Sequence, residues 1–241
     1  MLRKLKNLGL MAVRLPFHAV KAHRLMVGRY LRGDAVMGAI PYEVNLHDKY
    51  WEKRLKLDTG GWDSVELEDG MLYEATPYLV LHDILRHLDL GPEDVFVDLG
   101  CGKGRATCVA ARESACDVVG VEQDEGFLAV AQSNIDNLDA TRGEVNLHHG
   151  LAQDFDFDQA TVVFLFNPFG ARTLEQVLAL LQASVERKPR RLRIVYVNPV
   201  HESVLAHHAW LQNTQTWPSD AYPGFEIQPP NPRLVTFWEA A

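Results

Sequence analysis

Apolar residues along this chain fall into two alternating patterns, short unbroken runs and longer stretches with helical spacing. Leu81, Ile84, Leu85 and Leu88 share one helical face, closed by Gly91-Pro92. The run Val95-Phe96-Val97 follows and ends on Asp98, and Val118-Val119-Gly120-Val121 ends on Glu122. Leu128, Ala131, Ile135 and Leu138 restore the helical period. A third strand is expected over 144–148, before His149-Gly150, and a fourth over 161–166. From about residue 173, Thr173 and Gln176 read as a capping box for a helix that buries Leu174, Val177, Leu178, Leu181 and Val185. Residues 193–197 read as a fifth strand, 201–211 as a helix and 234–238 as the last strand. Between them, 217–232 holds five prolines and breaks the alternation, as a long loop or an insertion between strands 6 and 7 that faces substrate. Strands alternating with helices predict an α/β fold with a doubly wound sheet.

Chemistry concentrates at the carboxyl ends of these strands. Asp98-Leu99-Gly100-Cys101-Gly102-Lys103-Gly104-Arg105 carries a buried strand into a glycine-rich turn and then a small-residue helix (Ala106, Ala110, Ala111). Such a corner binds anions and polar ligands, because glycines let backbone N–H groups approach and the helix end presents unpaired donors. The spacing is Gly-x-Gly-x-Gly; arginine at 105 departs from the dinucleotide fingerprint Gly-x-Gly-x-x-Gly. Glu122, at the end of the second strand, is placed to accept hydrogen bonds from a ribose diol. Asn167-Pro168-Phe169-Gly170 follows the fourth run, where open α/β sheets put their chemistry; it reads equally as a strand-to-helix turn with Pro as the stop. His201, just past the fifth strand, reads as a general base or as a structural residue opening a helix. His148 and His149 point to opposite faces of a strand, with no third ligand at useful spacing, so no metal site is expected.

Composition narrows the class. With 241 residues and 47% hydrophobic composition the chain can bury a core without staples. Cysteines 101, 108 and 116 form neither a disulfide framework nor a zinc set, which points to a reducing, cytoplasmic setting. Cys101 is a small filler of the glycine loop. The absence of an apolar run of about 18 residues argues against a transmembrane span. The first 33 residues hold eight Lys/Arg and no acid, and the rest of the chain holds 16 basic and 32 acidic residues. The expected division is a basic N-terminal helical arm over 1–45, split at Pro16, and one catalytic domain over 46–241. The arm either docks on its acidic domain or makes peripheral contact with an anionic membrane. A signal peptide fits poorly, because Arg14 interrupts the apolar stretch. An acidic body argues against a nucleic-acid substrate, since phosphate contact needs basic surface.

Leu57-Asp58-Thr59-Gly60-Gly61, Tyr73-Glu74-Ala75-Thr76-Pro77-Tyr78, the glycine loop, Gly120-Val121-Glu122 and Asn167-Pro168-Phe169 occur in that order. Together they resemble a largely uncharacterised bacterial group of class I S-adenosylmethionine-dependent methyltransferases, with Gly-Lys-Gly-Arg and Gly-Val-Glu pieces similar to those of the non-SET histone-lysine methyltransferases. The resemblance implies a Rossmann-like, mostly parallel seven-stranded sheet with helices on both faces, here with an N-terminal helical extension. It implies S-adenosyl-L-methionine as cofactor and methyl transfer to a small molecule or a protein side chain, an amine among the candidates. Asp98, Gly100, Cys101, Gly102, Gly104 and Glu122 would then hold the cofactor. The family's Gly-Asp-Ala-x-Asp/Glu after strand 3 appears here as Gly150-Leu151-Ala152-Gln153-Asp154, leaving Gln153 and Asp154 for the adenine; Asp154 reads equally as a solvated acid. Thr76 would close over the methionine end, or stand at an exposed helix start. Asn167, Pro168 and Phe169 resemble the Asn/Asp-Pro-Pro-aromatic motif of amine-directed enzymes, with the ring one position early. Two alternatives stand beside this reading: a non-catalytic cofactor-binding subunit of the same fold, and an NAD(P)-dependent oxidoreductase, against which Arg105 counts.

Overall fold

A computed structural model describes residues 41–60, 73–218 and 233–241. Most of the basic arm and residues 219–232 of the proline-rich stretch lie outside the described residues. The described residues open with helices α1 (Pro41–Leu55) and α2 (Tyr78–Leu88), then alternate through β1 (Val95–Leu99), α3 (Arg105–Glu113), β2 (Asp117–Glu122), α4 (Glu125–Asp136) and β3 (Val145–His149). A 3-10 turn (Ala152–Asp154) leads to β4 (Val162–Phe166), α5 (Ala171–Arg187), β5 (Arg193–Val197), the short α6 (Glu202–Ala206), β6 (Leu211–Pro218) and β7 (Arg233–Ala240). The seven strands form one sheet in the order β3-β2-β1-β4-β5-β7-β6. The first five pair in parallel, and β7 and β6 close the sheet antiparallel. Strand order reverses at β1, whose neighbours are β2 and β4, so the switch-point crevice opens at the carboxyl end of β1.

Strand alternation sends successive side chains to two different cores. Phe96, Phe164, Val195 and Val197 pack against α2 and α3 on one face. Val97, Leu99, Leu165, Ile194 and Tyr196 pack against Leu174, Val177, Leu178 and Leu181 of α5 on the other. Both faces are covered, which is why the central strands read as continuous apolar runs. Register then delivers the chemistry to one edge: Leu99 pairs with Val121 and Leu165, and the residues that follow each strand meet there.

Two local expectations are corrected. The helix expected over 201–211 is confined to Glu202–Ala206, and Leu211–Pro218 is an edge strand. Val204 and Leu205 are its inward-facing apolar pair, too little for a longer amphipathic helix, whereas β6 is held by its register with β7. Thr173 and Gln176 do not form the capping box: α5 starts earlier, at Ala171, and Gly170 at its N-cap offers no side chain.

Candidate active site

The glycine loop turns on left-handed backbone that other residues rarely adopt, with φ of 70° at Gly100 and 54° at Gly102. Space is as restrictive as conformation. A Cβ at Gly100 would lie 2.5 Å from Pro168 Cβ, and one at Gly102 would overlap the Tyr73 ring. The loop is tied to β2 through the Gly100 and Cys101 N–H groups, which donate to the Val121 carbonyl at 2.9 and 3.0 Å. Gly104 caps α3 without a side chain, so Asp98 supplies the cap from β1. Its Oδ2 accepts from the Thr107 N–H at 3.0 Å and from the Thr107 hydroxyl at 2.8 Å. Burial pushes the Asp98 carboxyl up to about 7, against the lowering effect of these bonds, and Glu122 adds to the rise. Burial likewise raises the Cys101 thiol well above its usual range, so it is a neutral filler beside Gly120.

Above the loop lies an open cleft, about 780 Å³ with its solvent-filled mouth included. Gly100, Gly102, Glu122, Gln153, Asn167, Pro168 and Phe169 line it. Glu122 turns one carboxylate oxygen to the Gly102 N–H at 2.8 Å and the other to the N–H groups of Gln123 and Asp124, each at 2.9 Å. Burial raises its pKa despite these donors. Gln153 sits on the 3-10 turn after β3 with Leu151 and Ala152 beside it, while Asp154 is exposed and outside the lining. Asp98, Cys101 and Gly104 are not among the residues that line the cleft. Thr76 is buried away from the cleft, with its carbonyl accepting from Arg105 at 3.2 Å.

At the far wall, Asn167 takes a left-handed conformation (φ 46°), which asparagine tolerates better than other side chains. Its Oδ1 accepts from the Tyr196 hydroxyl at 3.1 Å, leaving one lone pair of that oxygen for another donor. His201 meets the same hydroxyl through its backbone N–H at 3.4 Å; its ring is not among the groups lining the cleft. Several functional positions were not singled out from sequence. Tyr73 and Glu74 line the cleft as part of the quoted Tyr73–Tyr78 motif, and Phe127 packs on Tyr73 with ring centroids 4.9 Å apart. Burial alone raises the Glu74 carboxyl. Tyr196 gave a weak signal, a lone hydroxyl inside an apolar strand. Arg105 reads in the sequence as the departure from the dinucleotide fingerprint and as the end of the Gly-Lys-Gly-Arg piece, with no role of its own.

Among the described residues no three His, Cys, Asp or Glu side chains gather as a metal site would require. None of the described helices is long and apolar enough to cross a membrane. The residues present do fit an adenosyl cofactor: Gly100 and Gly102 of the glycine turn line the cleft, and the Glu122 carboxylate lines it as well, as an acceptor for a ribose diol.

The model of a methyltransferase domain matches residues 96–187, from β1 to the end of α5. Over 107 residues the chain is 34% identical to the histone-lysine N-methyltransferase, H3 lysine-79 specific, of Dictyostelium discoideum, covering 39% of this chain and 6% of that protein. Over 95 residues it is 33% identical to a protein-lysine N-methyltransferase of Saccharolobus islandicus, covering 39% of this chain and 58% of that one. The matches thus span a small part of one curated relative and just over half of the other. Among solved structures, magnesium protoporphyrin IX methyltransferase from Synechocystis with bound S-adenosylmethionine superposes with a TM-score of 0.50 at 13% identity. That likeness covers 67% of this chain and 76% of the other, and it concerns the fold. These matches name methyltransferases, and the oxidoreductase alternative draws no support from them. A methyltransferase-domain match thus lies over the strands that build the cleft, and the curated proteins that part of the chain resembles are lysine methyltransferases.

Proposed function

We propose that the protein methylates the side-chain amine of lysine in a protein substrate. The observation that carries this reading is the Asn167-Pro168-Phe169 turn, which lines the cleft and packs through Pro168 directly on Gly100 of the cofactor loop. The kinship with lysine-directed enzymes supports it. S-adenosylmethionine supplies an activated methyl group on a cationic sulfur, so positioning and water exclusion can carry much of the rate without a metal. In this reading the Gly100 and Gly102 backbone holds the methionine end, Glu122 accepts from the ribose, and Gln153 with the neighbouring Ala152 meets the adenine. Asp98, Cys101 and Gly104 hold the loop in shape. Asn167 Oδ1, oriented by Tyr196, accepts an N–H of the acceptor amine, and the Pro168 carbonyl takes a second. Phe169 covers the amine and keeps water out. Glu74, a carboxylate whose affinity for a proton is raised by burial, draws a cationic lysine into the cleft and accepts the proton it must lose.

The test is methyl transfer from labelled S-adenosylmethionine into a cell extract, separated into protein, RNA and small-molecule fractions. The expected result is label in protein, recovered as methyl-lysine after hydrolysis and absent with Asn167→Ala, which still binds cofactor. Label confined to RNA or small molecules would overturn the acceptor. Cofactor binding with no transfer to any fraction would favour a non-catalytic subunit.

A further inference from the structure

Arg105 is the first residue of α3, and its side chain is only 7% exposed. A cation there opposes the helix dipole, so its burial needs another reason. Its guanidinium is fully engaged with the N-terminal elements. Nε donates to Thr59 Oγ1 at 2.7 Å, one terminal nitrogen to Asp48 at 2.8 Å, and the other to Glu52 at 3.1 Å. The plane stacks on Tyr78, 4.5 Å from the ring centre. Thr59 is the relay. Its N–H and hydroxyl are held by Glu52, and its carbonyl accepts from the Tyr73 hydroxyl at 2.7 Å. Tyr73 in turn lies on Gly102, packs on Phe127 and lines the cleft. Lys103 Nζ, 5.1 Å from the Tyr73 ring centre, also donates to the Gly60 carbonyl at 3.1 Å, so residues 59–60 and 73 meet over the loop.

We infer that Arg105 is a positioning residue for cofactor binding, acting through Thr59 on Tyr73, whose ring forms the cap over Gly102. A residue of the glycine motif thereby makes α1 and residues 59–60 part of the cofactor site, although the methyltransferase-domain match begins at residue 96. The inference rests on the cleft being the S-adenosylmethionine site. It goes beyond that reading by assigning a function to a buried ion cluster outside the cleft.

Binding of S-adenosylmethionine and of S-adenosylhomocysteine by calorimetry tests it, with urea unfolding of each unliganded variant alongside. Tyr73→Phe keeps the ring and removes only its bond to Thr59, and Thr59→Val removes the acceptor for Arg105 Nε. Arg105→Lys keeps the charge and loses the fork. Each is expected to weaken binding about 3- to 10-fold, the scale of one lost hydrogen bond. The Tyr73→Phe, Arg105→Lys double variant should bind no more weakly than the weaker single, because both cut one connection. Unchanged affinity in Tyr73→Phe and Thr59→Val, whatever their stability, would overturn the proposal, as would fold-changes that multiply in the double variant. If wild-type protein failed to bind either ligand, the cofactor reading of the cleft would fall first and this inference with it.

Discussion

Two pairs of carboxylates, one half-buried and one buried, lie beside the same glycine loop, and they are compensated differently. Asp48 and Glu52 face a cation, the Arg105 guanidinium, with ion pairs at 2.8 and 3.1 Å. Asp98 and Glu122 are met by N–H and hydroxyl donors instead, and burial raises the pKa of both. Burial lifts Asp48 as well, yet there the opposing cation stays in place. Neutral donors satisfy oxygen lone pairs without cancelling charge. The first group therefore reads as a closed structural joint. The second, with Glu74 across the cleft, leaves negative potential where a sulfonium cofactor and an ammonium acceptor would sit.

The closed joint should give the largest effect when broken. Arg105→Met leaves the half-buried Asp48 and Glu52 without a cation; removal of one partner from a fully buried pair costs about 3–5 kcal/mol, and the partial exposure of these carboxylates sets the expected loss at about 2–4 kcal/mol. Urea unfolding of the unliganded protein should show that loss in the midpoint, with the slope unchanged. A loss below about 1 kcal/mol would mean that solvent reaches the carboxylates and that the joint is open.

On the open side the effect moves to ligand affinity. Glu122→Ala is expected to weaken S-adenosylmethionine binding about 10- to 100-fold, the range for hydrogen bonds to a charged group. Glu122→Gln, which keeps one acceptor, should fall between. Calorimetry decides it, and wild-type affinity in Glu122→Ala would remove the ribose from that end of the cleft.

Asp98 sharpens the contrast through pH. Its folded value near 7 lies above the unfolded 3.8, so between these limits the fold holds a proton that the unfolded chain has released. Its contribution to stability is complete below the lower limit and is lost as pH rises through the upper one. The slope is at most about 1.4 kcal/mol per pH unit for one proton. Asp98→Asn should flatten the decline in unliganded stability by that component, read from the difference between the two urea series. Parallel curves would show that Asp98 is ionised in the fold and that its Thr107 bonds outweigh burial.

The contrast also explains what the amino-acid pattern disclosed. The cofactor corner is local: strand, glycine turn, helix and next strand follow within about thirty residues, and periodicity with glycine spacing locates them. The joint is assembled from positions 48, 52, 59, 73, 78 and 105, and nothing periodic links these; the Tyr73–Tyr78 motif hinted at a contribution without showing which atoms meet. Strand β6 was invisible for a related reason. Its residues are mostly exposed and polar, so no alternation marks it, and pairing with β7 makes it a strand. Asn167 could be placed at the cleft from its position after β4, but its Tyr196 partner lies 29 residues on, in a different strand.

A smaller effect is expected at the acceptor wall. Tyr196→Phe removes the donor that orients Asn167 Oδ1 and leaves cofactor contacts in place. The transfer rate found in the extract assay should fall about 3- to 10-fold, the value of one neutral hydrogen bond, with affinity for S-adenosylmethionine unchanged. A parallel loss of cofactor affinity would show that the two sides of the cleft are mechanically coupled through Pro168 and Gly100.

The smallest effect distinguishes the two candidate proton acceptors. His201 contributes its backbone N–H to Tyr196, a contact that survives loss of the ring, and its imidazole is not part of the cleft lining. His201→Ala should therefore leave the transfer rate within about twofold of wild type, whereas Glu74→Gln should slow it by about 10²-fold or more, the lower end of the range for general-base catalysis. Glu74→Gln should also lose the acidic limb of the pH–rate profile, because the amide can neither attract an ammonium nor take its proton. If His201→Ala carried the larger loss and removed a titration near neutral pH, the base would lie on the β5 side, and the amine would have to approach between Asn167 and α6 rather than past Glu74.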